Sequence, residues 1–308
     1  MLVLTGPTGA GKTDWAVALA EQAPVEIVSV DSALVYRGLD IGSAKPSAAL
    51  RARIPHHLID ICEPTESYSA GRFVADALAC IRDIQGRGRV PLLVGGTMLY
   101  LRALLHGLAV LPQAAPALRA ELDERARRDG WPALHAQLAR LDPTAAARIA
   151  PTDAQRIQRA LEVCLSTGQR ISELQRVRVS PLADWPLRYW VLAPRERAVL
   201  HERLARRFAA MMAAGFLEEL RRLRARGDLT ARHPAMRAVG YRQLWAHLEG
   251  EYDLQEAVSR GVAATRQLAK RQLTWMCGEG LGEWIDPDLT APLSWIRDRC
   301  AELAALGL

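Results

Sequence analysis

The sequence predicts an α/β fold, in which a parallel sheet carries helices on both faces and an all-helical segment is inserted. Short apolar runs alternate with helical patterns over the first third of the chain, and such alternation is typical of a parallel sheet. Short helices rich in Ala, Leu and Arg then follow one another without a convincing strand. We therefore expect a first core part at residues 1–112, a helical insertion at 113–187 and a mostly helical core completion at 188–308.

The bulk composition limits the classes of protein to which this chain can belong. The chain has 308 residues, half of them apolar, with a net charge of +6 and a pI near 9.3. This length suits one large domain with an insertion, or two domains. The positive charge favours an acidic partner such as nucleic acid.

The expected location follows from the apolar runs and the cysteines. No run approaches the length of a membrane span, and the chain opens with a strand rather than a signal sequence. The five cysteines are scattered and include no C-x-x-C pair, so we expect reduced thiols rather than disulfides or a zinc site. The sequence therefore predicts a cytoplasmic protein without a membrane partner.

A glycine-rich segment, Gly6-Pro7-Thr8-Gly9-Ala10-Gly11-Lys12-Thr13, follows the first apolar run. It fits the phosphate-loop pattern G-x-x-x-x-G-K-[ST] at every fixed position. The glycines let successive N–H groups converge on phosphate oxygens, Lys12 adds a positive charge, and the Thr13 hydroxyl can hold Mg²⁺. A helical pattern at residues 14–22 adds its positive end. The motif predicts a core of the P-loop NTPase type, without indicating which phosphates it binds.

Further elements follow in chain order. We expect strands at residues 25–31, 58–62, 89–94 and 187–193, and helices at 70–85, 98–106 and 195–226. We expect Ser69 to be the N-cap of the helix at 70–85 and Gly86 to end that helix. The strand at 187–193 returns the chain to the sheet, and the helix at 195–226 is rich in arginine.

In a parallel sheet the carboxyl ends of the strands lie at one edge, and ligands bind there. The phosphate loop, Asp31 and Thr97 each follow a predicted strand, so we expect them at this edge. Asp31 could hold Mg²⁺, act as a general base, or cap the turn that follows it. Thr97, after two glycines, could donate to a phosphate or a base, or simply cap a helix. His56-His57 has no third ligand at suitable spacing, so we expect no metal site there.

Three segments mix cations with amide or aromatic groups, at residues 153–159, 237–242 and 270–275. Such groups suit phosphate contact together with base stacking. Each segment alone is more typical of a solvated helix face. Three of them in one basic chain favour RNA as the partner.

The sequence resembles the tRNA dimethylallyltransferase (isopentenyltransferase) family over nearly its whole length. The stretch from Asp31 to Pro46 is the most specific part of this resemblance. The other matching stretches are Gly6–Thr13, Gly95–Tyr100, Asp153–Leu161, Arg237–Arg242 and Ala269–Trp275.

The resemblance implies a reaction. Members transfer the dimethylallyl group of dimethylallyl diphosphate to N6 of the adenosine immediately 3′ of the tRNA anticodon, and the helical insertion grips the anticodon arm. Asp31 matches the family's base, and Thr97 would lie near the acceptor adenosine. The pyrophosphate would be met by Mg²⁺ on Thr13, by Arg242 as a clamp, and by the phosphate loop. The loop residues implied are Gly6, Thr8, Gly9, Ala10, Gly11, Lys12 and Thr13.

The resemblance also implies contacts with the tRNA anticodon stem-loop, made by a chain that we expect to act as a monomer. The implied residues are Asp31, Ser32, Ala33, Leu34, Thr97, Arg119, Gln155, Arg156, Ile157, Gln158, Arg159, Arg237, Gly240, Tyr241, Arg242, Lys270, Arg271, Gln272, Thr274 and Trp275.

Three other functions use the same loop. A small-molecule or nucleotide kinase would bind ATP there and would need no RNA-gripping insertion. A non-catalytic RNA-binding ATPase would bind RNA in a nucleotide-dependent way. A relative that prenylates free AMP or ADP would need neither the insertion at 113–187 nor the arginine-rich segments, so these features argue against it.

Overall fold

The computed structural model of the chain describes residues 1–109, 111, 115–176, 179–183, 185–280 and 282–305. It contains two compact units, one of Met1–Ala103 with Asp184–Leu308 and one of Leu104–Ala183. The insertion predicted at 113–187 overlaps the second unit up to residue 183. Its predicted start, at the boundary of residues 112 and 113, lies outside the described residues.

The first unit contains a six-stranded sheet in the order β3-β2-β4-β1-β5-β6, with every pairing parallel. The strands are β1 (Leu2–Thr5), β2 (Val25–Val30), β3 (His56–His57), β4 (Val90–Gly95), β5 (Arg188–Leu192) and β6 (Glu283–Ile285). Strands β1, β2 and β4 are buried along their whole length, as expected for a parallel sheet covered on both faces. The predicted fold class, a P-loop NTPase-like core with an inserted helical segment, is confirmed.

Fourteen α-helices lie in the described part of the chain. The first seven are α1 (Lys12–Ala20), α2 (Ala48–Arg53), α3 (Ala70–Gly86), α4 (Met98–His106), α5 (Pro116–Asp129), α6 (Trp131–Leu141) and α7 (Pro143–Ala146). The others are α8 (Ala154–Thr167), α9 (Ile171–Leu174), α10 (Arg197–Ala213), α11 (Phe216–Ala225), α12 (Tyr241–Leu248), α13 (Leu254–Glu279) and α14 (Pro292–Ala305). None of these described helices is long and apolar enough to cross a membrane.

Helix α3 shows how local sequence sets an element that covers the sheet. The Ser69 side chain accepts a hydrogen bond from the N–H of Arg72, as the predicted N-cap should. Its buried residues recur every three or four positions, which places them on one face of the helix. They are Phe73, Ala77, Ile81 and Ile84.

The prediction of a strand at residues 58–62 is wrong. Pairing with β2 occurs instead at His56–His57, in register with Ile27 and Val28. Beyond these two residues the backbone of Leu58 and Asp60 is left-handed, with φ of 63° and 56°, and this conformation ends a ladder.

Side-chain contacts hold this turn in place. The Lys45 ammonium lies 2.5 Å from the Asp60 carboxylate, and Arg51 lies 2.8 Å from the other oxygen of the same group. The Lys45 side chain is buried and also donates to the carbonyl of Tyr36. Because these partners come from separate segments, no local pattern indicated the turn.

Two further differences involve helix breaks and short strands. The helix predicted at 195–226 is two helices, α10 and α11, because Gly215 takes a left-handed conformation with φ of 96°. The strand β6 was not predicted, since three residues carry too little alternation to be noticed.

Three tryptophans fill the space between the sheet and helices α1 and α14. The ring centroid of Trp295 lies 5.2 Å from those of Trp15 and Trp190. All three are buried within one apolar cluster that also contains Leu4, Leu19 and Leu92. Trp190 therefore belongs to the core of the first unit.

The second unit has its own apolar core, and its described residues form helices and connections only. Residues from α5, α6 and α8 supply most of it, including Leu122, Leu134, Leu138, Ile157 and Leu161. This core satisfies the usual requirement for a unit that holds together by itself.

A buried carboxylate, Asp142, organises the short helices of this unit. Its side chain accepts hydrogen bonds from the N–H of Ala145 at 2.9 Å and from the N–H and hydroxyl of Ser172, both at 2.8 Å. Burial alone would raise the pKa of Asp142, but the hydrogen bonds from Ser172 and Ala145 outweigh it and lower the pKa. The charged form therefore ties α7 to α9.

We expect Asp142→Asn to lower the free energy of unfolding by about 1–3 kcal/mol, because the amide leaves one buried donor without an acceptor. Because the folded-state pKa is depressed, this contribution is present above the unfolded pKa of about 3.9 and is lost as the pH falls below it. Denaturant titrations at pH 7 and at about pH 2.5 measure both effects.

Asp153→Asn is the matched control for this measurement. Asp153 caps α8 with a hydrogen bond from the N–H of Arg156, at a partly exposed position, and Asn caps helices about as well as Asp. A loss for Asp153→Asn as large as that for Asp142→Asn would contradict the assigned role of the buried network.

Candidate functional site

Two cavities adjoin at the carboxyl edge of the sheet in the first unit. The inner cavity, of about 90 Å³, lies at the phosphate loop and is lined by Lys12 and Thr13. The outer cavity, of about 450 Å³, is lined by Thr97 and by residues of α10 and α13. Six residues line both cavities, namely Thr8, Asp31, Ser43, Gly96, Arg207 and Gln272. A ligand in one cavity can therefore meet a ligand in the other at this shared wall.

The phosphate loop has the backbone geometry that its motif predicts. Gly11 precedes α1 with φ of 89°, a conformation that residues with a side chain rarely adopt. In the described part of the chain no acceptor lies opposite the N–H groups of Gly9, Gly11, Lys12 and Thr13, which therefore remain available to an anion.

Two other predicted anion donors are already in use. The N–H of Thr8 donates to the side-chain oxygen of Gln272 at 2.8 Å, and the N–H of Ala10 donates to the carbonyl of Pro7 at 3.3 Å. Their role in this conformation is to shape the loop rather than to bind an anion directly.

Lys12 folds back on its own loop. Its ammonium donates to the carbonyls of Gly6 and Pro7, at 2.9 Å and 2.8 Å. Burial lowers the pKa of Lys12 to about 8; the charge of Arg207 lowers it further, and that of Asp31 opposes both. The loop therefore carries a cation whose proton is held weakly until a negative charge arrives.

Arg207, on α10, is a site residue that sequence reasoning did not single out. It lines both cavities, and within the described residues no carboxylate lies in ion-pair range of its guanidinium. Burial lowers the pKa of Arg207, against the opposing effects of Asp31 and Asp14. One signal was available: Arg207 follows Leu200 and Leu204 on the buried stripe of this helix.

Asp31 follows β2 and lines both cavities. One carboxylate oxygen accepts hydrogen bonds from the N–H groups of Ala33 and Leu34, at 2.8 Å and 3.2 Å. Among the described residues no donor contacts the other oxygen. The capping role is therefore real, and it leaves one oxygen, in a fixed orientation, for a proton.

Thr97 follows β4 and joins two strand ends. Its N–H donates to the carbonyl of Val30 at 3.2 Å, and its hydroxyl oxygen accepts from the N–H of Ser32 at 3.0 Å. The hydroxyl thus contacts the segment after Asp31, and within the described chain it caps no N–H of α4. Thr97 lines the outer cavity next to Ser32 and Ala33.

The outer cavity combines positive charge with flat apolar surfaces. Arg237 and Arg271 line it, and both are exposed. Phe208 and Trp275 line it as well, and the guanidinium of Arg102 lies 5.5 Å from the centre of the Trp275 ring. Such a surface suits an unpaired base attached to a phosphate backbone.

The inner cavity offers few protein ligands to Mg²⁺. The Thr13 hydroxyl lines it, together with the hydroxyl of Ser29, which is buried and without a hydrogen-bond partner. No group of three His, Cys, Asp or Glu side chains that could hold a metal ion exists among the described residues. This donor set fits a hard cation held by one hydroxyl and by ligand phosphate oxygens.

The histidine pair has two separate environments. The Nε2 atom of His57 lies 2.7 Å from the buried Glu26 carboxylate, which also contacts Arg87 and Arg89. His56 bonds the carbonyl of Ile54 through Nδ1 and lines the inner cavity. The two rings do not share a ligand.

Three of the residues predicted to contact RNA are buried. Ile157 is fully buried in the core of the second unit. Tyr241 is fully buried, and its hydroxyl donates to Glu219 at 2.5 Å. Gly240 is buried against the ring of Phe216, 2.8 Å from where a Cβ would lie. Ile157 and Gly240 therefore shape their surroundings, whereas Tyr241 also lines the outer cavity.

Arg242, the residue predicted as a pyrophosphate clamp, lies outside the two cavities of the candidate site. It is exposed and lines a third cavity of about 570 Å³ with Trp245, Tyr252 and Arg260. It lines neither the inner nor the outer cavity. Arg207, by contrast, lines both of these cavities.

Other predicted RNA contacts differ in availability. Exposed side chains are those of Ser32, Gln155, Arg156, Arg237, Lys270, Arg271 and Thr274. Arg119 and Arg159 both contact the buried carboxylate of Glu162, at 2.7 Å and 3.3 Å. Gln158 donates to Asp123 at 2.8 Å. These three are anchored within the second unit.

Comparison with known proteins identifies close relatives. The family described as IPP transferase matches residues 34–279, and the family described as isopentenyl transferase matches residues 1–54. A tRNA dimethylallyltransferase of Alkalilimnicola ehrlichii is 61% identical over 289 residues, covering 94% of this chain and 91% of that protein. One of Bordetella petrii is 56% identical over 307 residues, covering 99% and 98%.

Solved structures are also similar. The full-length tRNA isopentenylpyrophosphate transferase of Bacillus halodurans has a TM-score of 0.70 and 35% identity, covering 99% of this chain and 95% of its own. A eukaryotic dimethylallyltransferase acting on tRNA has a TM-score of 0.76 and 26% identity, covering 93% and 73%. The family resemblance predicted from the sequence is confirmed, and the chain belongs to the IPP transferase family.

Proposed function

We propose that this chain is a tRNA dimethylallyltransferase, which transfers the dimethylallyl group of dimethylallyl diphosphate to N6 of the adenosine immediately 3′ of the anticodon. The observation that carries the proposal is the shared wall of the two cavities, where Asp31 lies between an anion-binding loop and a base-sized cavity. The names of the relatives favour this reaction over the kinase and ATPase alternatives.

The inner cavity suits the donor. The free N–H groups of the phosphate loop and the cations of Lys12 and Arg207 match the charge of a diphosphate. Apolar side chains of the same cavity, including Ile27, Leu34 and Val94, suit a short alkenyl group. C1 of the donor would then lie near the wall that the two cavities share.

The outer cavity suits the acceptor. An adenosine that has left the anticodon-loop stack can enter it, since unpaired bases unstack at modest cost. Trp275 offers a stacking surface, and Arg237 and Arg271 offer contacts to phosphates. The acceptor N6 would then approach the shared wall beside Asp31 and Thr97.

The transfer is a substitution at carbon. The N6 lone pair forms a bond to C1, the C1–O bond breaks, and the bonding pair leaves with pyrophosphate. The free oxygen of Asp31 accepts the N6 proton, because an aromatic amine is a weak nucleophile and becomes acidic as the new bond forms. The hydrogen bonds from Ala33 and Leu34 hold this carboxylate in position.

The leaving group gains negative charge as the C1–O bond breaks. The loop N–H groups, Lys12 and Arg207 meet that charge without moving far. Mg²⁺ held by Thr13 would add further charge neutralisation at the same oxygens. Because one chain lines both cavities, we infer that the enzyme acts as a monomer, in the cytoplasm where tRNA is found.

Acceptor specificity tests the proposed function directly. We expect label from radioactive dimethylallyl diphosphate on an anticodon stem-loop with adenosine 3′ of the anticodon, and none on the guanosine form or on free AMP. Label on AMP would identify a nucleotide-prenylating enzyme instead. Consumption of ATP without any label would support the kinase or ATPase alternatives.

Asp31→Asn should lower kcat by about 10²–10⁴-fold, the usual contribution of a general base, while stem-loop affinity stays within about 3-fold. Asparagine keeps an oxygen for the N–H groups of Ala33 and Leu34, so the turn should survive. Asp14→Asn, which removes a nearby exposed carboxylate outside both cavities, is the control. Near-normal turnover by Asp31→Asn would exclude the assigned base.

Lys12 predicts a proton uptake when pyrophosphate binds. Without an anion the pKa of Lys12 is about 8, and a bound anion raises this pKa. Pyrophosphate binding above pH 8 should therefore take up a proton, and its affinity should weaken as the pH rises. Calorimetry in buffers of different ionisation enthalpy measures the uptake. Lys12→Arg, which stays charged, should bind without it; equal uptake by both proteins would disprove the assignment.

A further inference from the structure

Gln272 on α13 connects two segments that are far apart in the chain. Its side-chain oxygen accepts a hydrogen bond from the N–H of Thr8 at 2.8 Å, and its side-chain nitrogen donates to the carbonyl of Gly96 at 2.7 Å. The side chain is only 9% exposed. Both ends of one amide are therefore used, one on the phosphate loop and one at the end of β4.

The contact leaves no spare room. A Cβ on Gly96 would lie 2.5 Å from the Gln272 nitrogen and 2.9 Å from the carbonyl oxygen of Gly6. The loop, the glycine and the amide are thus packed at van der Waals distance. Gln272 lines both the inner and the outer cavity, so this packed group is part of the wall between the two ligands.

One face of α13 lines the outer cavity. The side chains that line this cavity recur at helical spacing, and they are Thr265, Leu268, Arg271, Gln272 and Trp275. Lys270, next to them, is exposed. Because a helix moves as a unit, the surface that would meet RNA and the amide that holds the phosphate loop are rigidly linked.

We propose that Gln272 is a positioning residue, which sets the phosphate loop relative to the RNA-binding wall and couples the two substrates. The inference rests on the proposed function. RNA that orders α13 also orders the amide and hence the loop, so each substrate binds better in the presence of the other. Without the amide, Thr8 N–H and Gly96 C=O lose their partner and the loop loses its link to the helix.

The test measures pyrophosphate affinity with and without a saturating anticodon stem-loop, by calorimetry. For the unaltered chain we expect the stem-loop to raise pyrophosphate affinity about 10-fold, within the range of typical couplings. For Gln272→Ala we expect this factor to fall below about 2, with stem-loop affinity within about 3-fold of normal. Reciprocity requires the same factor when pyrophosphate is present and the stem-loop is titrated.

The matched control is Gln267→Ala. Gln267 lies on the same helix, is exposed and lines only the third cavity, so its removal tests loss of an amide from α13 without loss of the contact. It should show the full coupling. Gly96→Ala disrupts the same contact from the side of β4, because the new Cβ would collide with the Gln272 amide. We expect Gly96→Ala to lower the coupling as Gln272→Ala does.

The outcomes separate this inference from the proposed function. Full coupling in Gln272→Ala or Gly96→Ala, or no coupling in the unaltered chain that transfers dimethylallyl normally, would overturn the role of Gln272 alone. Failure of the unaltered chain to bind the stem-loop or to transfer would overturn the proposed function. Should Gln272→Ala not fold, Gly96→Ala and Gln272→Glu decide, since Glu keeps an acceptor for Thr8 but loses the donor to Gly96.

Discussion

Lys12 and Arg207 line one cavity together with a single carboxylate, Asp31, and burial depresses the pKa of both cations. Positive charge removed from water without matching negative charge is unfavourable, and the folded chain must supply stability elsewhere to keep it there. The parallel sheet does so by burying its strands on both faces and presenting their carboxyl ends as a firm edge. A polyanion is the partner that relieves this imbalance.

The polar contacts around the site hold its walls. Glu219 is buried and accepts hydrogen bonds from the N–H groups of Asp40, Ile41 and Gly42 as well as from Tyr241. Lys45 ties the following turn to Asp60. The stretch from Asp31 to Pro46, the most specific part of the family resemblance, is therefore held by contacts at several points. Within this stretch Asp31 is the carboxylate that lines both cavities, and one of its oxygens has no donor among the described residues.

Local chemistry made part of this structure predictable. The phosphate loop was readable because its glycines and its lysine are fixed by backbone geometry within eight residues, and α3 because its cap and its apolar face are local. The position of Arg207 at the cavities and the link made by Gln272 were not predictable, because they bring together segments that are far apart in the chain; Gln272 contacts Thr8 across 264 positions. The strand predicted at residues 58–62 lies instead at β3 for the same reason, since Lys45 and Arg51 contact the turn after it.

The hydrogen bonds of Lys12 to its own loop have a consequence for anion choice. In this conformation the ammonium already donates hydrogen bonds to the carbonyls of Gly6 and Pro7. An incoming anion must offer it more than these two neutral dipoles do, and a singly charged anion offers little more after losing its own hydration. A diphosphate, with several charges on adjacent oxygens, exceeds this threshold. These hydrogen bonds of Lys12 should therefore favour polyanions over singly charged ions such as chloride.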